Sequence, residues 1–129
     1  MAVSVLTSVT NDTQTGMFKG VITAASSSGA SSICLGFKPR KITIQQIGGT
    51  PGASWFSQWV EGMTAAYQIN VTNAGTGTIA TANGITVFDG TGTDRTDVMT
   101  GSPVSTGPGF VVGTACVANS LVYYVTAER

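Results

Sequence analysis

Side chains branched at Cβ dominate this sequence. Val, Ile and Thr make up 42 of its 129 residues, whereas Leu occurs three times and Glu twice. Such side chains lose rotamer freedom in a helix and pack well on the pleated surface of a sheet. Residues 67–72 (YQINVT) also alternate strictly between apolar and polar, which is the period of a strand with one buried face. We therefore predict a chain built from strands.

Shorter apolar runs and alternations recur along the chain. They occupy residues 3–5, 18–22, 42–44, 78–81, 85–88, 110–112 and 121–125. Gly, Pro, Ser and Asn are frequent in the segments between them, as is typical of turns. This arrangement predicts an all-β fold, specifically a single antiparallel β-sandwich or jelly-roll-like domain.

Two segments support more specific predictions of strand pairing. Asn83-Gly84 is a typical hairpin turn, so residues 78–81 and 85–88 are predicted to form a β-hairpin. Residues 121–125 are apolar on both faces, which places them in the middle of a sheet or at a subunit contact.

One segment is compatible with two kinds of secondary structure. Within residues 53–66, the large apolar side chains of Trp55, Trp59 and Met63 recur every four residues. That spacing favours one face of a short helix, but a strand fits the segment equally well. The chain is therefore expected to contain at most one short helix, near residues 53–66.

The length suits one domain, and the first residues differ in character from the rest. We divide the chain into an N-terminal arm, residues 1–16, and a β-sandwich domain, residues 17–129. The arm carries Val3 and Val5 among Thr and Ser, so we expect it to add a strand to a neighbouring subunit's sheet.

The low charge content argues for assembly. Six Lys and Arg balance six Asp and Glu, and only 9% of residues are charged, against about 25% in ordinary domains. Such a chain lacks the repulsion that keeps monomers apart, so we expect its surface to be covered by other protein. Lys38, Arg40 and Lys41 form the only basic cluster, which argues against nucleic-acid binding. These three residues are candidates for contacting an acidic partner, although a solvated turn is the simpler interpretation.

The sequence also favours a protein that is made in a cytoplasm. Residues 1–16 carry no positive charge and no unbroken apolar run, so we expect neither a signal peptide nor a membrane anchor. No segment approaches the roughly 18 apolar residues of a membrane helix. We expect the protein to be made in a reducing cytoplasm, where Cys34 and Cys116 would be buried thiols, with a disulfide as the alternative.

Catalytic chemistry is poorly represented. The absence of His excludes Ser–His, Cys–His and His-ligated zinc sites. Asp89, Asp94 and Asp97 share one Gly- and Thr-rich loop, which lacks the burial needed to separate two carboxyl pKa values. The same loop could ligate calcium, although it lacks the usual spacing of a calcium loop. We predict no enzyme, no cofactor and no small-molecule substrate.

Aromatic side chains are the best candidates for protein contacts. Trp55, Phe56 and Trp59 could form a core, anchor an interface, or stack against sugar rings. Tyr124 lies on the second face of the C-terminal strand. Together with Val3 and Val5, these four aromatic residues are the predicted interface residues.

The order of several segments resembles small β-rich virion proteins of tailed bacteriophages, namely head decoration (cement) proteins and related fibre domains. The resemblance covers residues 33–129 and is carried by residues 36–39 (GFKP), 42–45 (ITIQ), Trp55, Trp59, Met63, 84–87 (GITV), 109–113 (GFVVG) and 122–125 (VYYV). It implies a β-sandwich or jelly-roll-like subunit, usually trimeric, that sits on an assembled shell or forms part of a fibre.

The resemblance and the composition together lead to one expected function and two rivals. We expect a capsid decoration protein that binds the major capsid protein on the outside of the mature head and stabilises the lattice. The alternative is a tail fibre or receptor-binding module that recognises host surface glycan. An enzyme acting on cell-wall glycan through Asp89, Asp94 and Asp97 is the least supported.

Overall fold

The computed structural model describes residues 5–12, 14–23, 31–48, 55–72, 75–82, 84–88, 108–113 and 121–129. These residues form ten strands: β1 (Val5–Asp12), β2 (Met17–Thr23), β3 (Ser31–Cys34), β4 (Lys41–Gly48), β5 (Phe56–Val60), β6 (Gln68–Val71), β7 (Gly77–Ala80), β8 (Ile85–Phe88), β9 (Gly109–Val112) and β10 (Val122–Glu128). No helix occurs within these ranges. The prediction of an all-β chain is confirmed.

The strands form two antiparallel sheets arranged as a sandwich-like domain. The larger sheet has seven strands in the order β1-β2-β10-β4-β5-β6-β7, and the smaller has three in the order β3-β9-β8. Every pair of neighbouring strands is antiparallel. Residues 1–16 contribute β1 to the chain's own sheet, where Val5 pairs with Thr23. The proposed strand exchange of this arm with a neighbour stays a prediction.

The core joins the two sheets through fully buried aromatic and aliphatic side chains. Phe18 of β2 and Phe110 of β9 meet edge to face, with ring centroids 6.3 Å apart and an interplanar angle of 71°. Both rings are completely buried. This geometry is the favoured one for aromatic pairs, and it ties the larger sheet to the smaller.

β10 lies at the centre of the larger sheet, between β2 and β4. Its side chains Tyr123, Val125 and Ala127 are fully buried. The sequence allowed residues 121–125 either a central strand or a subunit contact, and the structure shows the central strand.

Of the segment 53–66, the structure describes residues 55–66, which form strand β5 and turns. A spacing of four residues is even, so it places side chains on one face of a strand as well as on one face of a helix. The alternation of burial along β5 follows the strand period, with Ser57 and Trp59 inward. The spacing of the apolar residues therefore could not separate the two alternatives.

The predicted hairpin between residues 78–81 and 85–88 is wrong, because β7 and β8 belong to different sheets. The chain passes from one sheet to the other at Gly84, whose N–H donates to the carbonyl of Ala66 while the Ala66 N–H donates to Ile85. The hairpin partner of β7 is β6, through a turn that has Gly75 at φ +84°. Asn83 itself lies outside the described residues.

Position 84 requires glycine because the structure leaves no room there for a Cβ atom. A Cβ at this position would lie 2.5 Å from the Ala66 carbonyl oxygen and 3.0 Å from its carbon. Both are backbone atoms, which cannot rotate away as a side chain would. Gly77 is a matched contrast, because a Cβ there meets nothing within 4 Å.

We expect Gly84→Ala to lower the free energy of unfolding by about 1–3 kcal/mol, the usual cost of overpacking. Gly77→Ala should stay within about 1 kcal/mol of the parent chain. Urea denaturation of both variants measures the difference. Equal stability of the two variants would mean that the Ala66–Gly84 contact does not constrain the corner.

The turn between β1 and β2 is organised by Asp12. Its Oδ1 accepts hydrogen bonds from the backbone N–H groups of Gln14, at 3.0 Å, and Thr15, at 3.3 Å. The pKa of the Asp12 carboxyl is lowered, mainly by the backbone N–H of Thr15, then by the Thr15 hydroxyl, with a smaller effect from the Gln14 N–H. The folded chain therefore favours the carboxylate.

Because the pKa of Asp12 is lower in the folded state, its stabilising effect is present at neutral pH and is lost as the pH falls through that pKa. Asp12→Ala should be less stable than the parent at pH 7, and the difference should shrink in acid. Asp12→Asn keeps an oxygen acceptor without the titration and serves as control. Thermal unfolding from pH 7 down to pH 3 measures this; a constant difference for Asp12→Ala would contradict it.

Candidate interaction surface

The charged side chains within the described residues gather at one end of the larger sheet. The register aligns Asp12, Met17, Glu128, Lys41 and Val60 in one row across five strands. The backbone N–H of Arg129 donates to Gly16 at that end. We call this region the charged end; its charged residues are Asp12, Lys19, Lys38, Arg40, Lys41, Glu61, Glu128 and Arg129. Five positive and three negative side chains give it a net of two positive charges.

The three predicted capsid-contact residues, Lys38, Arg40 and Lys41, are exposed at the charged end. The Nε of Arg40 lies 3.4 Å from the Oε2 of Glu61, and both side chains are mostly exposed. An exposed pair of this kind contributes little to stability, but it partly neutralises Arg40. Lys38 and Lys41 are therefore the better candidates for contacting an acidic partner.

Sequence reasoning missed Arg129, which the fold brings to the same end. Its Nη2 donates to the carbonyl of Gln14 at 2.9 Å, and its guanidinium lies 5.9 Å from the centre of the Phe37 ring. Residue 129 is about ninety positions from the basic cluster, so only the sheet register could reveal the proximity.

The first half of β4 and the end of β10 that pairs with it follow the usual pattern, with apolar residues inward and polar residues outward. Along β4, Ile42 and Ile44 are buried while Lys41 and Gln45 are exposed. Across from them on β10, Thr126 points outward and its hydroxyl bonds the hydroxyl of Thr43.

Apolar side chains face outward on β5, β6 and β7, and on β6 the usual pattern is inverted. Ser57 and Gln68 are fully buried, and the Ser57 hydroxyl donates to Asn70 Oδ1 on the next strand. Ile69, between Gln68 and Asn70, is 39% exposed, and Ile79 opposite it is 64% exposed. Polar side chains therefore face inward on β6 and in the first half of β5, and each of the three strands carries apolar side chains that face outward.

We call the outward apolar side chains of these strands the apolar outer face: Phe56, Val60, Ile69, Val71 and Ile79. The sequence between Lys41 and Asp89 contains a single charged residue, Glu61. A shift of register by one residue would have buried the apolar set of β6, so its exposure is a property of the chosen register. Apolar surface of this kind is characteristic of a site that contacts another molecule.

The predicted interface residues fall in different places. Phe56 belongs to the apolar outer face and is half-buried, and Tyr124 is exposed on the same side of the sheet, with Gln45 paired between them. Trp55 is 39% exposed at the start of β5. Val5 lies in β1, and Val3 lies outside the described residues.

Trp59 belongs to the core, and its side chain is only 6% exposed. Of the roles that the sequence left open for it, the structure supports core packing. Its indole N–H is buried and has no hydrogen-bond partner within the described part of the chain. Leaving a buried donor unpaired costs about 1–3 kcal/mol. Because the indole N–H therefore does not stabilise the fold, the contribution of Trp59 is the volume of its ring in the core.

Sequence reasoning did not identify Ile69 and Ile79 as surface residues. The alternation of residues 67–72 was a signal for a strand with one apolar face, but it could not show which face was covered. The burial of Gln68 on the opposite face decides it.

The described residues contain no group of three or more Cys, Asp or Glu side chains placed to hold a metal ion. Asp89, Asp94, Asp97 and Cys116 lie outside the described residues, and Cys34 lies in β3. Among the described residues there is also no helix with the length and apolar character to cross a membrane.

Comparison with known proteins gives no match of any kind: no protein-family model, no curated protein and no solved structure corresponds to this chain.

The two Trp residues should respond differently to a soluble quencher. The variant Trp55→Phe retains only Trp59, whose fluorescence should resist acrylamide because the ring is buried. The variant Trp59→Phe retains only Trp55, which should be quenched readily. Both variants in concentrated urea provide the control, where quenching should become equal. Similar quenching in the folded state would contradict the assignment of Trp59 to the core.

Proposed function

We propose that this chain is a virion structural protein that decorates the outside of a bacteriophage capsid and stabilises the mature lattice. The observation that carries the proposal is the outward placement of apolar side chains on β5, β6 and β7, which leaves the apolar outer face uncovered on a single chain. Residues facing water gain nothing from being apolar, whereas residues at a contact between copies or with a shell do. The sequence resemblance supplies the kind of assembly.

In this proposal two surfaces of the chain contact two different partners. The charged end, with Lys38 and Lys41 exposed, contacts acidic side chains of the major capsid protein. On the shell, the apolar outer face contacts neighbouring copies of the chain, and the resemblance leads us to expect a trimer there. The site of action is the capsid surface of a particle assembled in the bacterial cytoplasm.

Stabilisation follows from mass action. A protein that binds the assembled shell but not its separated subunits stabilises the shell by RT ln(1 + [L]/Kd) at each site, or about 2.7 kcal/mol at a concentration of 100 Kd. Because a lattice repeats its sites, modest affinity at each of them is sufficient. No catalytic step and no cofactor enter this mechanism.

The proposal predicts how charge changes affect capsid binding. The double variant Lys38→Gln/Lys41→Gln lowers the net charge by two at the charged end, and its affinity for empty capsids should fall severalfold at low salt. Each exposed pair contributes about 0.2–1 kcal/mol, so the loss should fade as salt is added. Co-sedimentation with capsids measures it.

The matched control is Thr23→Glu/Thr76→Glu, which lowers the net charge by the same amount at exposed positions away from the charged end and outside the apolar outer face. It should bind almost as the parent does. Equal losses in both variants would show that net charge alone matters, and full binding by both would remove the charged end from the proposal.

The second candidate is a tail fibre or receptor-binding module for host glycan. It is favoured by the exposure of Trp55 and Tyr124, whose rings are accessible for stacking on sugars. The number of copies in purified particles separates the two functions. Hundreds of copies support decoration of the head, whereas a few to a few tens support a place in the tail. Capsids lacking the protein should also burst at a smaller osmotic drop if decoration is correct.

A further inference from the structure

β7 is an open edge of the larger sheet. β6 pairs with one side of it, and no strand lies on the other side within the described part of the chain. Gly77, Thr78 and Ile79 are all exposed. An open edge presents unpaired backbone N–H and C=O groups, which another extended strand can satisfy.

This edge has none of the usual features that prevent pairing. Natural edge strands carry Lys, Pro or a bulge, but β7 reads Gly-Thr-Ile-Ala. No charged residue occurs anywhere in residues 62–88. The opposite edge, β1, differs, because its register is irregular between Thr7 and Thr10 and it ends at Asp12. The unprotected edge is therefore β7.

The apolar outer face runs up to this edge and stops there. The register aligns Gln58, Ile69 and Ile79 in one row across β5, β6 and β7. Ile79 is the most exposed large apolar side chain of the described residues, at 64%, and it has a neighbour on one side only. A strand paired with β7 would extend the row and cover Ile79 from the second side.

The topology indicates which strand pairs with β7. In a sheet of seven antiparallel strands the two edge strands run in the same direction. Copies could in principle form a ring, with the ring axis along the strands and β7 of each copy beside β1 of the next. That contact would be a parallel pair, which is less stable and differs from every strand pair among the described residues. A two-fold axis perpendicular to the sheet, beside β7, instead creates an antiparallel pair between two copies of β7.

We propose that β7 pairs antiparallel with β7 of a second copy of this chain, joining the larger sheets of the two copies across a two-fold axis. With Ile79 opposite its own counterpart, Thr78 faces Ala80 and Gly77 faces Thr81 just beyond the strand, so β7 is complementary to itself. The row of isoleucines becomes continuous from one copy to the other. No charges oppose each other at the seam, because none lie near it in sequence.

The contact is small. Four residues on each side bury less than the roughly 1,200 Å² of a standard interface, so the isolated dimer is weak and forms at high concentration. Such a contact suits a protein present in many copies. The inference adds to the proposed function a specific surface for contact between copies, and a trimer would need a different surface.

The test uses the purified full chain alone. Sedimentation velocity at increasing concentration should show a monomer converting to a dimer. Ile79→Lys should weaken the dimer at least tenfold, because it places two like charges side by side at the seam. Ile47→Lys is the matched control: Ile47 is 54% exposed on the outward side of β4, in the middle of the sheet, and its replacement should leave dimerisation unchanged.

Amide hydrogen exchange adds a readout that locates the contact. Protection of residues 77–80 should increase with protein concentration in the parent chain but not in Ile79→Lys. Val9→Lys, at an exposed position of β1, should have no effect on either measurement.

Three results would overturn the inference: a monomer at every concentration up to about 1 mM, where a weak dimer would still form; a trimer that Ile79→Lys leaves intact; or loss of association in Val9→Lys or Ile47→Lys but not in Ile79→Lys. These outcomes are distinct from failure of the proposed function. If Ile79→Lys abolishes dimers while capsid binding persists, decoration stands. If dimers form as expected but no capsid binds, the edge contact stands alone.

Discussion

The larger sheet depends on the placement of β10 between β2 and β4. All seven of its residues pair with β2 on one side and with β4 on the other. Tyr123, Val125 and Ala127 bury their side chains beneath the sheet, so one strand supplies both the central ladder and part of the core. The pairing joins Thr126 to Lys19, more than one hundred residues earlier. Folding therefore requires contacts between the two ends of the described chain, which is typical of slowly folding β proteins.

The order and direction of the strands around β10 also determine where the charged residues lie. The ends of β1, β5 and β10 and the starts of β2 and β4 meet at one end of the sheet, and the residues beside them include Arg40, Glu61 and Arg129. Further along the sheet, β6 and β7 carry no charge at all. A single chain thus has a charged end and, beside it, an apolar outer face. Such a division suits a subunit that meets two different surfaces, because each surface uses a different kind of interaction.

The alternation of side chains predicted strands well, because a period of two is a local property that each segment expresses by itself. It predicted β6 and β10 directly. The strands predicted at residues 78–81 and 85–88 also exist, as β7 and β8, but their predicted pairing is wrong. Asn83-Gly84 indicated a hairpin, whereas Gly84 passes closely against Ala66 at a corner between the sheets. A turn sequence describes which backbone angles are accessible. Whether the next strand returns to the same sheet depends on long-range packing.

The amino-acid sequence by itself determined that this chain forms strands, that it carries few charges, and that residues 121–125 are apolar on both faces. Side-chain branching, composition and period are sufficient for those conclusions. Only the tertiary structure decided that Trp59 is core while Trp55 is exposed, and that Gln68 faces inward while Ile69 faces outward. The physical reason is that alternation defines two faces of a strand, whereas the covering of one face depends on which other strands pack against it.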